Sequence, residues 1–247
     1  MATQKGIVPI KGTLGGITFY SYKGKPVARM AGGGFTSKAI KTSPSMVRVR
    51  ESNSEFGQCS RIKKVFRNAL SPYFESRTDA TLHGRMMRLF LDVKDCDLLS
   101  VRGQRHVRAG LLTTRGKQLM QDFAFTSMPM PGMTWEYDTV QSALTITHLD
   151  AGSLSFPHGA THLTIDFGVL VLDSDPSAAT LFRSEAIVLE RGATPAPFTL
   201  SPIDPVSGSG TRFSVLHCSY LQEVNGALYP LKSNETFGVW ILEVYGE

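Results

Sequence analysis

The apolar positions of this chain change their period twice. From about residue 161, Leu163, Ile165, Phe167, Val169 and Val171 alternate with Thr164, Asp166, Gly168, Leu170 and Leu172. A period of two predicts a strand with one set of side chains turned to a core. Similar runs predict strands near 133–138, 142–149, 180–191, 196–200, 212–224 and 236–245. Asn225-Gly226 between two of them signals a tight hairpin, and the turn-rich segments 173–177 and 205–210 separate others. Many short strands of this kind predict an antiparallel β-sandwich over 126–247, Ig-like or jelly-roll-like.

Upstream the period lengthens. Over 51–125 the pattern is helical. A first helix, capped by Ser52 or Ser54, carries Phe56, Ile62, Val65, Phe66, Ala69 and Leu70, and Ser71-Pro72 ends or kinks it. A second runs from about Asp79 to Val93, with Leu82, Met86, Leu89, Phe90 and Val93 on one face. A third short helix, capped by Thr113 or Thr114, buries Leu119, Met120 and Phe123.

Residues 1–50 follow neither period and read as an arm. Ile17 to Tyr22 is β-branched and aromatic, Lys23-Gly24-Lys25 turns, and Pro26 to Met30 returns, which predicts a hairpin over 17–30. Such a hairpin is marginal alone and needs something to pack on. The Gly32–Gly34 run and Thr42-Ser43-Pro44 read as flexible or extended chain. The expected class is therefore α+β, mainly β: a basic arm (1–50), a small helical region (51–125) and a C-terminal antiparallel sandwich (126–247).

Charge changes this picture more than composition does. Residues 1–50 hold nine Lys/Arg and no acid, and the first 120 residues carry +15 against −10 for the rest. Two opposed electrostatic surfaces are expected. The basic clusters are Lys23, Lys25, Arg48 and Arg50 on the arm, then Arg61, Lys63, Lys64 and Arg67, then Arg102, Arg105 and Arg108, with Arg115 and Lys117 following. Phe19, Tyr20, Tyr22 and Phe35 are interleaved with the arm's cations.

No run of about 18 apolar residues predicts a membrane span. The N-terminal stretch has no apolar signal core, so no secretory route is expected. Cys59, Cys96 and Cys218 are few, odd in number and far apart, which suits a reducing, cytoplasmic compartment. That leaves the sequon Asn234-Glu235-Thr236 without a role.

Motifs for chemistry are weak. His158 and His162 have an HxxxH spacing, but Pro157 and Gly159 argue against the helix a metal pair needs, and no third ligand is near. His217 and Cys218 are neighbours on a strand, so they point to opposite faces and cannot act as nucleophile and base. Gly32–Gly34 lacks the strand–loop–helix context and lysine of a phosphate loop. No catalytic, cofactor-binding or metal-binding residue is assigned, and no enzyme is expected.

Several stretches resemble a known family: Lys11-Gly12-Thr13-Leu14-Gly15-Gly16-Ile17-Thr18-Phe19-Tyr20, Lys41-Thr42-Ser43-Pro44, and Arg48-Val49-Arg50-Glu51 with Asn53 and Glu55-Phe56-Gly57. Arg102-Gly103-Gln104-Arg105 and Pro157-His158-Gly159-Ala160-Thr161-His162 belong with them. The family is one of uncharacterised Bacteroidota proteins. The resemblance implies a bacterial cytoplasmic setting and brings no activity or site residues with it.

Function must then come from the charge. The first expectation is a structural protein that self-assembles into homo-oligomers or filaments. Its basic arm would dock, in cis or in trans, on the acidic C-terminal half. Ile17, Phe19, Tyr20, Tyr22, Val27 and Arg29 are the arm residues expected to make that contact, with the hairpin able to extend a neighbour's sheet edge. The second expectation is nucleic-acid binding or packaging by the same basic clusters. A component of a phage-derived particle would combine the two.

Overall fold

A computed structural model describes residues 2–4, 10–32, 36–74, 79–150, 152, 154–173 and 178–246. Lys5, Gly33, Gly34, Phe35 and most of the turn at 173–177 lie outside the described residues. The chain divides into two compact units, 1–53 and 54–247.

The first unit holds more than a hairpin. Strands β3 (Ile17–Tyr22) and β4 (Lys25–Met30) pair as expected. Lys23 and Gly24 both sit at positive φ (50° and 78°), the backbone of a two-residue turn that follows strand twist. But β1 (Ala2–Thr3) adds to β4, and β2 (Gly12–Leu14) folds back on β3 through Gly15-Gly16, giving the order β1-β4-β3-β2. The hairpin strands are therefore interior. Extension of a neighbour's sheet edge would therefore fall to β1 or β2, the outer strands of this sheet among the described residues. Of the stretches expected as flexible or extended chain, Ser43 is extended, while Thr42 and Pro44 on either side of it belong to short helical segments. Helix α1 (Ser37–Thr42) is capped by the Thr36 side chain, and a 3-10 turn (Pro44–Met46) follows. It leads directly into α2 (Val47–Ala69), so that helix starts before Ser52 and Ser54.

In the second unit the antiparallel β-rich class is as the alternation predicts. The central strands are β7 (His162–Asp173) and β11 (Gly210–Val224), paired along nearly their whole length. Beyond β11 lie β12 (Ala227–Pro230), reached through the Asn225-Gly226 turn, and β13 (Phe237–Tyr245). Beyond β7 lie β8 (Ala179–Arg183) and β9 (Ile187–Glu190). The single run expected over 180–191 is thus two strands. They part at Ser184, whose N–H donates to Phe167 O while its hydroxyl accepts from the Phe167 N–H. A second sheet has the order β10 (Phe198–Leu200), β6 (Ala143–Leu149), β5 (Met133–Asp138).

The large sheet is covered on both faces. Leu163, Ile165, Phe167, Leu216 and Cys218 pack with Leu144, Ile146 and Leu200 of the small sheet. Leu170, Phe213, Val215, Val239 and Ile241 pack under the helices. Those helices are α2, α3 (Ser71–Phe74), α4 (Leu82–Asp95), α5 (Val107–Leu111) and α6 (Thr114–Gln121). Phe66 ties three elements together, with ring centroids 5.5 Å from Phe90 of α4 and 5.1 Å from Phe213 of β11. Fully buried aromatics of this kind dominate a core's energetics. Phe56, expected on the buried face of α2, is exposed. The buried stripe is instead Glu55, Cys59, Ile62, Lys63 and Phe66. In the α6 region the Thr113 cap and buried Met120 match expectation, while Leu119 and Phe123 are only partly buried.

Candidate functional site

The arm residues fall on two faces of the N-terminal sheet, as the register requires. Leu14, Ile17 and Met30 are cross-strand partners, and Phe19 lies opposite Ala28 two residues along. This face is an apolar row, and Leu14, Ile17 and Met30 are all exposed. The other face pairs Thr18 with Arg29, Tyr20 with Val27 and Tyr22 with Lys25. There the Arg29 guanidinium lies 5.6 Å from the centre of the Tyr20 ring, and Lys23 Nζ lies 5.7 Å from that of Tyr22. Of the described residues in 1–53, only Val27 is buried. Four strands with one buried side chain do not make a core.

Two arm cations are used locally. Arg50 donates to Ile40 O (2.8 Å) and Ser43 O (3.0 Å), tying α2 to the end of α1. Arg48 pairs with Glu51 at 3.1 Å. Lys23, Lys25 and Arg29 are exposed and make no ion pair among the described residues.

In the second unit the basic clusters separate into different roles. Lys63 does not belong to a surface. It is 3% exposed, with Nζ 3.0 Å from His83 Nδ1, and burial, with Arg67 adding, pushes its pKa down. Arg105 is engaged as well. Its Nε and Nη2 donate to Glu55 Oε1 and Oε2, both at 2.9 Å, while Lys94 Nζ donates to Oε2 (2.9 Å) and the Gly103 N–H to Oε1 (2.7 Å). Burial would raise the Glu55 carboxyl, but these four donors bring it down to about 2. Asp97 holds the same loop, accepting from the Leu99, Ser100 and His106 N–H groups. The loop so fixed carries Leu98, Leu99 and Val101 in the open. Lys64, Arg67 and Arg102 are exposed.

Arg61 and Arg108 line one groove of about 400 Å³, together with Ile62 and Leu172. Gln58, Arg61 and Ile62 reach it from one face of α2, three and four residues apart.

A second polar constellation lies beneath the helices, outside every motif of the sequence. Asp166 of β7 and His217 of β11 are cross-strand partners on the helix-facing side. His217 Nδ1 donates to Asp166 Oδ2 at 3.1 Å, and Arg183 Nη2 donates to the same oxygen at 3.1 Å. Tyr73 of α3 stacks on the imidazole with centroids 4.8 Å apart. Tyr73 Oη, Asp166 Oδ1 and His217 Nε2 are buried without a hydrogen-bond partner of good geometry among the described residues. Burial, with the Asp166 carboxylate adding, raises the Tyr73 hydroxyl well above its ordinary range. An Asp–His pair of this form suits acid–base work, but here Tyr73 covers the imidazole, and the cluster joins helix to sheet. The signal for it was present as a charged and a titratable residue at inward positions of apolar strands.

Cys218 lies in the opposite core cluster from His217's face, as strand alternation requires, and burial raises both its thiol and that of Cys59, the latter to about 11. His158 is exposed in a turn, and His162 Nδ1 lies 2.9 Å from Thr161 Oγ1. Among the described residues no group of three His, Cys, Asp or Glu is placed to hold a metal ion, and no helix is long and apolar enough to cross a membrane. Compared with known protein families, curated proteins and solved structures, the chain matches none.

Proposed function

We propose that this is a structural, self-associating protein whose N-terminal unit docks on the acidic β-layer of another copy. The observation that carries this reading is the exposed, in-register row Leu14–Ile17–Met30 on a sheet whose only buried described residue is Val27. Such a sheet gains its stability by covering that row. Charge selects the cover. The unit is basic, and ten of the fourteen acids after residue 120 are exposed, among them Glu136, Glu185, Glu190, Glu223 and Glu243. Apolar burial would supply the affinity and charge the orientation.

The test is the mass in solution of the full chain and of an Ile17→Lys/Met30→Lys double variant, by light scattering after gel filtration. The full chain is expected well above 27.0 kDa. The variant is expected at the monomer mass with the helical circular dichroism signal of the second unit retained. A monomeric full chain, or a variant that assembles as before, overturns the reading.

A second reading, nucleic-acid binding, is favoured by the cations resting over Tyr20 and Tyr22, a surface on which bases could stack. It requires binding to a single-stranded oligonucleotide that weakens steeply with salt.

A further inference from the structure

The loop between α4 and α5 presents an apolar tip on a fixed base. Leu98, Leu99 and Val101 are 87%, 96% and 65% exposed, three large aliphatic side chains within four positions. Two buried carboxylates hold the base beneath them. Asp97 Oδ1 accepts the N–H groups of Leu99 (3.1 Å) and Ser100 (3.0 Å), and Glu55 Oε1 accepts that of Gly103 (2.7 Å). The Gln104 N–H closes a turn on Val101 O at 3.0 Å. These backbone groups of the tip are satisfied within the protein, the condition for entering a medium without water. The loop leaves α4 at a corner where three helices converge. A methyl group at Gly110 would overlap Val93 O, and one at Gly116 would overlap Gly110 O, so the backbones of α4, α5 and α6 touch there. That brings Leu112, also exposed, and the cations on either side of Gly116, Arg115 and Lys117, to the same corner. From Leu98 to Gln121 the chain has five Lys/Arg and no acid. Arg105 is taken by Glu55 and Asp95, but Arg115 meets only the uncharged Gln118, and Lys117 makes no ion pair, among the described residues. Of the nearest carboxylates Asp97 is buried, Asp95 pairs with Lys94 and Arg105, Asp92 pairs with Arg88, and Asp122 lies at the far end of α6. No aromatic residue stands between Leu98 and Gln121, whereas protein-docking hot spots are rich in Trp and Tyr and poor in Leu and Val. A projecting aliphatic tip beside cations suits a deformable anionic medium better than a shaped protein pocket.

We infer that this loop docks the second unit on an anionic lipid surface. Leu98, Leu99 and Val101 enter the boundary between headgroups and acyl chains, and Arg115 and Lys117 attract the lipid phosphates. The contact is interfacial, about 5–10 Å deep, and spans nothing. It needs both parts, because a small apolar anchor alone attaches weakly and reversibly and gains its hold from nearby basic residues. It is separate from the docking sheet, whose apolar row belongs to the first unit.

Co-sedimentation of the full chain with sucrose-loaded vesicles tests it. One set is phosphatidylcholine alone, the other an equal mixture of phosphatidylcholine and phosphatidylglycerol. Binding is expected to the mixed vesicles and about tenfold weaker to the neutral ones, since each basic residue at an anionic surface gains roughly fivefold. Leu98→Ser/Leu99→Ser is expected to weaken binding to the mixed vesicles about tenfold or more, and Arg115→Ala/Lys117→Ala by a similar factor. Because both leucines are almost fully exposed, their variant should melt at the temperature of the parent. Ile17→Ser/Met30→Ser, altered in the other unit, is expected to keep its vesicle binding. Absence of binding to the mixed vesicles overturns the inference. So does unchanged binding in Leu98→Ser/Leu99→Ser, since charge alone would then hold the protein. Equal binding to neutral vesicles removes the role of the cations, and loss of binding in Ile17→Ser/Met30→Ser would move the contact to the N-terminal sheet. A parent that ignores vesicles, with a solution mass that falls in Leu98→Ser/Leu99→Ser, would give the tip to a second copy instead.

Discussion

Two residues show how a single position can govern the second unit. Glu55 is a carboxylate on the buried stripe of α2, surrounded by Arg105, Lys94 and the Gly103 N–H. Its folded pKa of about 2 lies below the ordinary 4.5, so the folded state favours the ionised form. That contribution is fully present above the unfolded value and is lost as pH falls through the folded one. The difference corresponds to about 3 kcal/mol. Stability should therefore decline between about pH 5 and pH 2 more steeply than in Glu55→Gln, and the two denaturation curves should converge at the acid end. At neutral pH Glu55→Gln should be destabilised by about 3 kcal/mol, the low end for a broken buried pair, because Lys94 and Arg105 lose Glu55 but keep Asp95, which both also contact. Parallel pH profiles for the two proteins would show that the carboxylate is not the titrating group. Gly168 governs by size. A methyl group there would meet Tyr73 Oη and come 2.9 Å from Phe182 O, both of which are fixed by the packing of α3 and β8 on the sheet. Gly168→Ala should cost about 1–3 kcal/mol, and roughly 2–4 °C of melting temperature for each of them. An unchanged melting temperature would mean that Tyr73 can withdraw from His217 at no cost.

At the scale of elements, legibility followed how local each cause was. The alternation of 162–173 and the stripe Leu82–Met86–Leu89–Phe90–Val93 are set by burial on one face, and both could be read directly. The run at 180–191 could not be divided in advance. β7 is twelve residues long, and its outer edge is shared by two strands that meet at Ser184, a division set by a strand distant in sequence. Cap chemistry placed the start of α2 at Ser52 or Ser54, whereas the helix emerges directly from the 3-10 turn at Pro44–Met46, with Arg50 bonded back to Ile40 and Ser43. The basic residues of the candidate site were all visible as charges, but their roles were not. Arg105 and Arg108 are three residues apart, yet one is held by Glu55, fifty positions away, and the other lines a groove with Arg61. Nothing in the local pattern separates them.

At the scale of the molecule, the charge division and the bare sheet face make different demands on an assembly, and salt distinguishes them. Lys23, Lys25 and Arg29 are exposed, as are most acids of the β-layer. Exposed charges are screened over about 8 Å at physiological ionic strength and over about 3 Å near 1 M. The apolar row Leu14–Ile17–Met30 is not screened at all, and its contribution grows slightly with excluded salts such as sulfate. Self-association should then weaken as sodium chloride rises from about 0.05 to about 0.5 M, and it should slow more than it weakens, since charge acts chiefly on encounter and orientation. Ammonium sulfate at equal ionic strength should preserve more of the assembly than sodium chloride does. Sedimentation velocity across the two salt series reads both effects. An assembly indifferent to sodium chloride would remove the acidic layer as the docking surface while leaving the apolar row. An assembly dispersed equally by both salts would instead place the whole interaction on charge, and the exposed leucine, isoleucine and methionine of the sheet would then need a different partner.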